Sequence, residues 1–269
     1  MSASARRAAY GLDAPPVVRN LLIAGTTGIL VWGAAALGLW SGVLRFTMGA
    51  IDLRAGVAPA GLCVGMGCLA MAAWMIWSSR VGKVRERERL LDTLTWRGDE
   101  RVLDLGCGRG LMLIGAARRL RTGRAIGIDL WRSEDLGGNS PAAARANADV
   151  EGVTDRVTLE TADMRMLPLP SGSIDVVLSQ AAVHNIPDAQ GRRQALGEVV
   201  RVLRPGGTAL LADIRHLDEY ARVLREGGLS ADVEGCALTR GVLALLTFGA
   251  LRPGVVRARQ PQSSPAVSA

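Results

Sequence analysis

Two long stretches without a single charge constrain this chain more than any other feature. Residues 21–44 are interrupted only by Gly, Thr and Ser before Arg45, and residues 57–79 are again free of charge. A helix needs roughly 20 residues to cross about 30 Å of hydrocarbon, so the stretches predict membrane-spanning helices over residues 20–44 and 57–79. A cleaved signal peptide has a shorter apolar region and no second one behind it. Trp40, Trp74 and Trp77 fall toward the ends of the spans, where indole rings favour the interface. Arg6, Arg7 and Arg19 precede the first span, and Arg80, Lys83, Arg85, Arg87 and Arg89 follow the second as a juxtamembrane collar. Only Arg45 and Arg54 lie between, in a short polar connection. The positive-inside rule then predicts both termini, and everything after residue 79, on the cytoplasmic side of a cell membrane. Gly38-x-x-x-Gly42 and Gly61-x-x-x-Gly65 would lie at similar depth and let the helices pack closely, or serve a homodimer.

The net charge of +7 invites a nucleic-acid reading, which the pattern opposes. Lys83 is the only lysine, and no basic stripe is interleaved with aromatics as a nucleic-acid groove requires. The densest basic stretch directly follows an apolar span, so its natural partner is the lipid bilayer. Cys63, Cys68, Cys107 and Cys236 have no C-x-x-C spacing, which predicts thiols in a reducing compartment and no metal site.

Beyond residue 80 the pattern alternates between helix and strand. A helix is expected over residues 80–94, and strands over 101–105, 124–129, 157–161, 174–179 and 208–214. Helices over 111–120, 188–203 and 218–226 alternate with them. Another starts at Asn139-Ser-Pro141, with Ser140 as cap. Alternation of this kind means parallel β-α-β units in a doubly wound α/β sheet. Strands near 231–236 and 255–259 follow, then a disordered tail over 261–269. The expected domains are therefore 1–79, 80–260 and that tail. The apolar run 243–251 is too short to span a bilayer; it reads as core, or as a surface for the membrane or an apolar acceptor.

Gly106-x-Gly108-x-Gly110 follows the first of these strands and opens a helix, where backbone N–H groups face a ligand. It is not the G-x-G-x-x-G of dinucleotide sites, and no lysine follows to hold a triphosphate. Asp104, inside the strand, would repel an anion, an objection that disappears for a ligand carrying an ammonium or sulfonium group. Asp129, ending the next strand, is placed to accept from both hydroxyls of a ribose.

Val102-Leu-Asp-Leu-Gly-Cys-Gly-Arg-Gly110 resembles the first motif of class I S-adenosylmethionine-dependent methyltransferases. The resemblance continues through Ile128-Asp129, Ala162-Asp163-Met164, Ser173-Ile-Asp-Val-Val-Leu178 and Arg201-Val-Leu-Arg-Pro-Gly-Gly207. It implies a Rossmann-like sheet with S-adenosylmethionine as cofactor. Gly106, Cys107 and Gly108 would approach the cofactor's amino-acid portion, and Asp104 would support that turn or the ammonium group. Asp129 and Leu130 would lie at the ribose, Asp163 and Met164 would flank the adenine, and Ser179 and Gln180 would border the methyl-transfer centre. The final hairpin is where the sequence departs most from the family pattern.

His184 and His216, the only histidines, both follow the C-terminal end of a strand, where ligands of open α/β sheets bind. His184-Asn185 is the pair expected to bind or deprotonate the acceptor, with His216 beside Asp213 as a further candidate. The expected protein is a membrane-anchored methyltransferase acting on a small, apolar or membrane-associated acceptor. A methyltransferase acting on a membrane protein and a non-catalytic cofactor-binding scaffold are the alternatives.

Overall fold

The computed structural model describes residues 8–48, 51–132, 136–235, 241 and 252–262. Cys236, the apolar run 243–251 and residues 263–269 lie outside them. The chain divides into two units, one of Gly11–Val84 with Glu134–Gly137, the other of Met1–Tyr10, Arg85–Ser133 and Gly138–Ala269.

The first unit contains α1 (Pro15–Ala36), a ribbon of β1 (Val43–Met48) and β2 (Ile51–Gly56), and α2 (Ala58–Trp77). Proline in the first turn starts each helix, where a missing N–H costs nothing. At 1.5 Å per residue the helices are about 33 and 30 Å long. The first stops eight residues before the end of the predicted span. Gly38, at φ +71°, takes a left-handed turn, and its N–H reaches Ala35 O while the Leu39 N–H reaches Ala34 O. That pair of bonds closes a helix C-terminus, so residues 43–48 are free to form a strand.

The two helices meet along glycines, though not the two pairs expected. A Cβ on Gly28 would fall 2.5 Å from Gly61 O, and one on Gly65 would fall 2.9 Å from Ile29 N and 3.0 Å from Gly25 O. Gly61-x-x-x-Gly65 thus packs on Gly25 and Gly28. Gly38 and Gly42 lie beyond the end of α1 and form no part of this seam. The outward faces are apolar, with Ile23, Leu30, Val64, Met66 and Met71 all exposed.

The second unit begins its sheet after α3 (Lys83–Leu91), which is preceded by a π-turn at Ser78–Gly82 where the pattern predicted a helix from residue 80. Arg87 corrects the collar. Its side chain is buried against Gly115, stacks over the Tyr10 ring at 5.5 Å and donates to the Tyr10 hydroxyl at 3.0 Å. It therefore belongs to the domain interior.

Seven strands follow: β3 (Arg101–Leu105), β4 (Arg124–Asp129), β5 (Val157–Thr161), β6 (Ile174–Gln180), β7 (Leu203–Asp213), β8 (Ser230–Glu234) and β9 (Gly254–Arg259). Their spatial order is β5-β4-β3-β6-β7-β9-β8. The first five are parallel, and β9 inserts antiparallel between β7 and β8. The final hairpin, the doubtful part of the pattern, is present. Helices α4 (Leu111–Ala117), α5 (Pro141–Val150), α6 (Ala189–Val202) and α7 (Leu217–Glu226) complete the α/β domain. Ser140 caps α5 by accepting from Ala143 N at 3.1 Å, and Asp188 caps α6 by accepting from Gly191 N at 2.7 Å. Strand β6 is buried along nearly its whole length, as a central parallel strand covered on both faces must be. The order reverses between β3 and β6. In open parallel sheets that reversal opens a crevice at the strands' C-terminal ends.

Candidate active site

Four neighbouring strands deliver the candidate residues to one edge of the sheet. β4 brings Asp129, β3 brings the glycine turn, β6 brings Gln180 to His184, and β7 brings Asp213. Backbone strain marks the same edge. Trp131, Ala181 and His216, which follow β4, β6 and β7, all have φ between +52° and +60°, a region non-glycine residues enter at a cost.

The glycine turn is built by backbone alone. Gly106, Gly108 and Gly110 have φ of +66°, +51° and +85°, and Gly106 N and Cys107 N both donate to Ile128 O of β4. A Cβ on Gly106 would fall 2.3 Å from that of Ala182 and 3.5 Å from Met164 Cε, so Met164 lines the turn. Cys107 contributes only main chain. Its thiol is buried toward Gly127, and burial and then the charge of Asp104 push its ionisation well up, so it is no nucleophile.

Asp104 supports the start of the helix that follows the turn. Its Oδ2 accepts from Leu113 N at 2.8 Å, in the first turn of α4, whose N-cap is the side-chain-less Gly110. Burial, with the neighbouring Asp129 charge adding to it and the Leu113 bond opposing, raises its pKa to about 8. An unfolded Asp ionises near pH 4, so between these values the folded state holds a proton that the unfolded state has lost. Stability conferred by this domain should therefore fall as pH rises through that window. Asp104→Asn keeps an acceptor for Leu113 N without the charge. Its stability relative to the parent is expected to climb from about pH 4 to about pH 8 and then level, read by denaturant melts along a pH series. A difference independent of pH would refute the assignment.

Asp129 is already engaged yet retains capacity. Oδ2 accepts from Gly108 N at 2.8 Å, and Oδ1 accepts from Trp131 N at 2.6 Å and Asn139 Nδ2 at 3.2 Å. A carboxylate offers about four acceptor sites, so one remains for a ribose hydroxyl without displacing a donor. The Gly108 bond ties the ribose position to the glycine turn. Leu130, next in the chain, is exposed. Asn139 and Trp131 are site residues the sequence reading missed. Asn139 was assigned to a helix start, and the Trp131 indole donates to Thr161 Oγ1 at 2.8 Å.

Asp163 pairs with Arg165 at 2.6 Å, and the side-chain bonds to that guanidinium hold its carboxyl below the usual range. Ser179 corrects an expectation. Its buried hydroxyl donates to Leu105 O at 3.0 Å, which joins β6 to β3 and commits the donor to the sheet. Gln180 instead carries a buried Oε1 without a hydrogen-bond partner among the described residues.

His184, in the 3₁₀ turn Val183–Asn185, meets Asp213 across β6 and β7. Its Nδ1 lies 2.6 Å from Asp213 Oδ1, and its backbone N donates to Oδ2 at 3.2 Å. Asp213 Oδ2 also accepts from the Tyr220 hydroxyl at 3.2 Å, and burial, then the Asp213 charge, keeps that phenol in its protonated, donating form. Buried Arg192 fixes the following loop by donating to Ile186 O at 3.0 Å and Pro187 O at 3.1 Å while pairing with Glu219. Asn185 is exposed and makes no side-chain hydrogen bond among the described residues. His216 does not join Asp213. Its Nδ1 lies 3.5 Å from Glu219, and burial, followed by the Arg192 charge, lowers its pKa.

These residues fit a ligand with an amino acid at one end and a nucleoside at the other. A left-handed glycine turn, a nearby buried carboxylate, an acidic strand end and an orphan amide oxygen lie in sequence along one edge.

Comparison with known proteins agrees with that geometry. A family model described as a methyltransferase domain matches residues 102–207. The 27-O-demethylrifamycin SV methyltransferase of Amycolatopsis mediterranei is 34% identical over 168 residues, covering 61% of this chain and 55% of that protein. Methyltransferase GfsG of Streptomyces halstedii is 34% identical over 146 residues, covering 53% of this chain and 49% of that protein. The chain thus spans about half the length of the curated relatives it matches. Among solved structures, geranyl diphosphate C-methyltransferase from Streptomyces coelicolor A3(2), bound to S-adenosyl-L-homocysteine, superposes with a TM-score of 0.51 at 16% identity. That match covers 65% of this chain and 77% of that one, and at such identity it speaks to the fold.

Proposed function

We propose that this chain, whose residues 102–207 match a methyltransferase domain, transfers a methyl group from S-adenosylmethionine to a small, apolar or membrane-associated acceptor. The observation that carries the reading is the continuous edge from Asp129 through the Gly106–Gly110 turn to the His184–Asp213 pair. Asp129, Leu130 and Asn139 would hold the ribose, and Met164 with Asp163 would flank the adenine. The glycine turn, Asp104 and Gln180 would hold the amino-acid portion. When bound, the donor supplies a methyl group on positively charged sulfur.

The residues of this chain then supply position and proton handling. His184 Nε2 has no protein partner among the described residues, while Nδ1 faces Asp213. Nδ1 lies buried beside that carboxylate with no aligned hydrogen bond among the described residues, and a proton held on it would leave Nε2 as the acceptor for a proton from the nucleophile. Alignment of the nucleophile with the methyl group and exclusion of water provide the remaining acceleration.

Anchoring in a bilayer, with both termini and the catalytic domain on the cytoplasmic side, is part of the same reading. It is supported by α1 and α2, two helices of membrane-spanning length with apolar exteriors and a glycine seam, the inverse of a soluble helix pair. An anchor suits an acceptor that partitions into lipid.

The reading is tested by titrating the purified protein with S-adenosylmethionine, then incubating it with labelled donor and a membrane extract. Asp129→Ala is expected to weaken donor binding roughly 10- to 100-fold, the loss of one charge-assisted hydrogen bond. Label is expected in organic-soluble material. Label in protein would make the acceptor a membrane protein, tight binding without transfer would make the chain a scaffold, and unchanged affinity in Asp129→Ala would overturn the site.

A further inference from the structure

The ribbon of β1 and β2 is an unusual object to place between two apolar helices. It forms a sheet of its own with two strands only. Such a ribbon is marginal in water without something covering one face.

Its register sorts the side chains cleanly. Residues directly opposite in an antiparallel pair share a face. Leu44 faces Ala55 and Phe46 faces Leu53, while Arg45 faces Arg54 and Thr47 faces Asp52 on the other side. The connection read as polar is therefore amphipathic. Leu44, Phe46 and Leu53 are 43%, 54% and 58% exposed, so the apolar face stays open among the described residues.

The base of the ribbon is fixed at the helix ends. Gly42 O accepts from Val57 N at 2.9 Å and Ala58 N at 3.4 Å, which ties the start of β1 to the start of α2. Gly42 itself fits between Ala35 and Ala58, since a Cβ there would fall 3.1 and 2.9 Å from theirs. Six residues per strand extend about 20 Å from that point. The base of the ribbon is thus held at the ends of both helices, which in the anchored reading lie where hydrocarbon gives way to headgroups.

The polar face has the matching charge. Arg45 and Arg54 stand opposite each other, an arrangement that destabilises a ribbon in water. Arg54 is met by Asp52 at 3.2 Å, and Arg45 makes no ion pair among the described residues. A lipid phosphate suits such a guanidinium, which binds it through two hydrogen bonds.

We propose that the β1–β2 ribbon lies in the interfacial layer of the bilayer, with Leu44, Phe46 and Leu53 toward the acyl chains and Arg45 and Arg54 toward lipid phosphates. The proposal rests on the membrane-anchored reading above. Its test uses the full chain reconstituted in vesicles of phosphatidylethanolamine and phosphatidylglycerol. A photoreactive p-benzoylphenylalanine replaces Phe46, Leu53 or Thr47 in separate variants, and Met66, exposed on α2, serves as the span control.

Lipid adducts are expected at 46, 53 and 66, with several-fold fewer at 47. Adducts at 66 but not at 46 or 53 would put the ribbon in water and overturn the proposal while leaving the anchor intact. Cross-links between two chains at 46 or 53 would make the face a seam between copies and overturn it equally. Equal lipid labelling at 47 and 46 would remove the sidedness on which it depends. Absence of lipid adducts at all four positions would bring down the anchored reading itself.

Discussion

Gly106→Ala is expected to abolish S-adenosylmethionine binding and to destabilise the domain by roughly 2–4 kcal/mol. Two costs fall on one atom. At φ +66° any side chain is strained, and the added Cβ would stand 2.3 Å from the Cβ of Ala182. Ala182 cannot withdraw easily, because it is buried and follows Ala181, which is itself left-handed. The turn would have to shift, and with it the Gly108 N–H that reaches Asp129. Gly152→Ala separates the two costs. Gly152 has φ +67° but nothing within 4 Å of an added Cβ, so that variant should lose only about 1 kcal/mol and bind the donor normally. Denaturant melts and calorimetric titration of both proteins decide the matter. Donor affinity preserved in Gly106→Ala would move the cofactor away from this turn.

The parts of the site that could be read from sequence are those built by short-range chemistry. A strand, three glycines and a helix within ten residues announce the turn, because left-handed backbone demands glycine. Asp129 follows from the same logic one strand later. Contacts between strands distant in sequence were harder to see. His216 was read only as a candidate beside Asp213, whereas the histidine in contact with that carboxylate is His184, brought alongside by the parallel register of β6 and β7. Ser179 looked like a site residue because the expected strand ended there, yet β6 continues to Gln180 and neighbouring β3 accepts from its hydroxyl.

The first unit repeats the lesson. Composition predicts two apolar helices but cannot say that Gly38 ends the first one, or that Gly61 and Gly65 choose Gly25 and Gly28. In Arg87 a charge expected on the surface is buried, because Gly115 leaves room for it and the Tyr10 hydroxyl accepts from it.

His184→Ala is expected to lower turnover by about 10²- to 10⁴-fold, the range for removal of a general base, with donor affinity unchanged. Asp213→Asn tests how that base is positioned. In the parent, a carboxylate facing Nδ1 favours the tautomer with the proton on that nitrogen, which leaves Nε2 able to accept. An amide turned to donate toward Nδ1 would reverse the tautomer and put the proton on Nε2, where it blocks acceptance. The variant should therefore lose kcat with little change in the acceptor's KM, and its pH–rate profile should no longer match the parent's. Tyr220→Phe removes one hydrogen bond to the Asp213 carboxylate and should cost about tenfold or somewhat more, less than loss of His184 itself. Asp213 also accepts from the backbone of His184 and Ile214, so calorimetric binding of the donor must accompany each rate measurement to show that the edge remains assembled. Full turnover in His184→Ala with an intact donor site would mean that the nucleophile arrives already deprotonated, and that the pair serves only to hold the loop after β6.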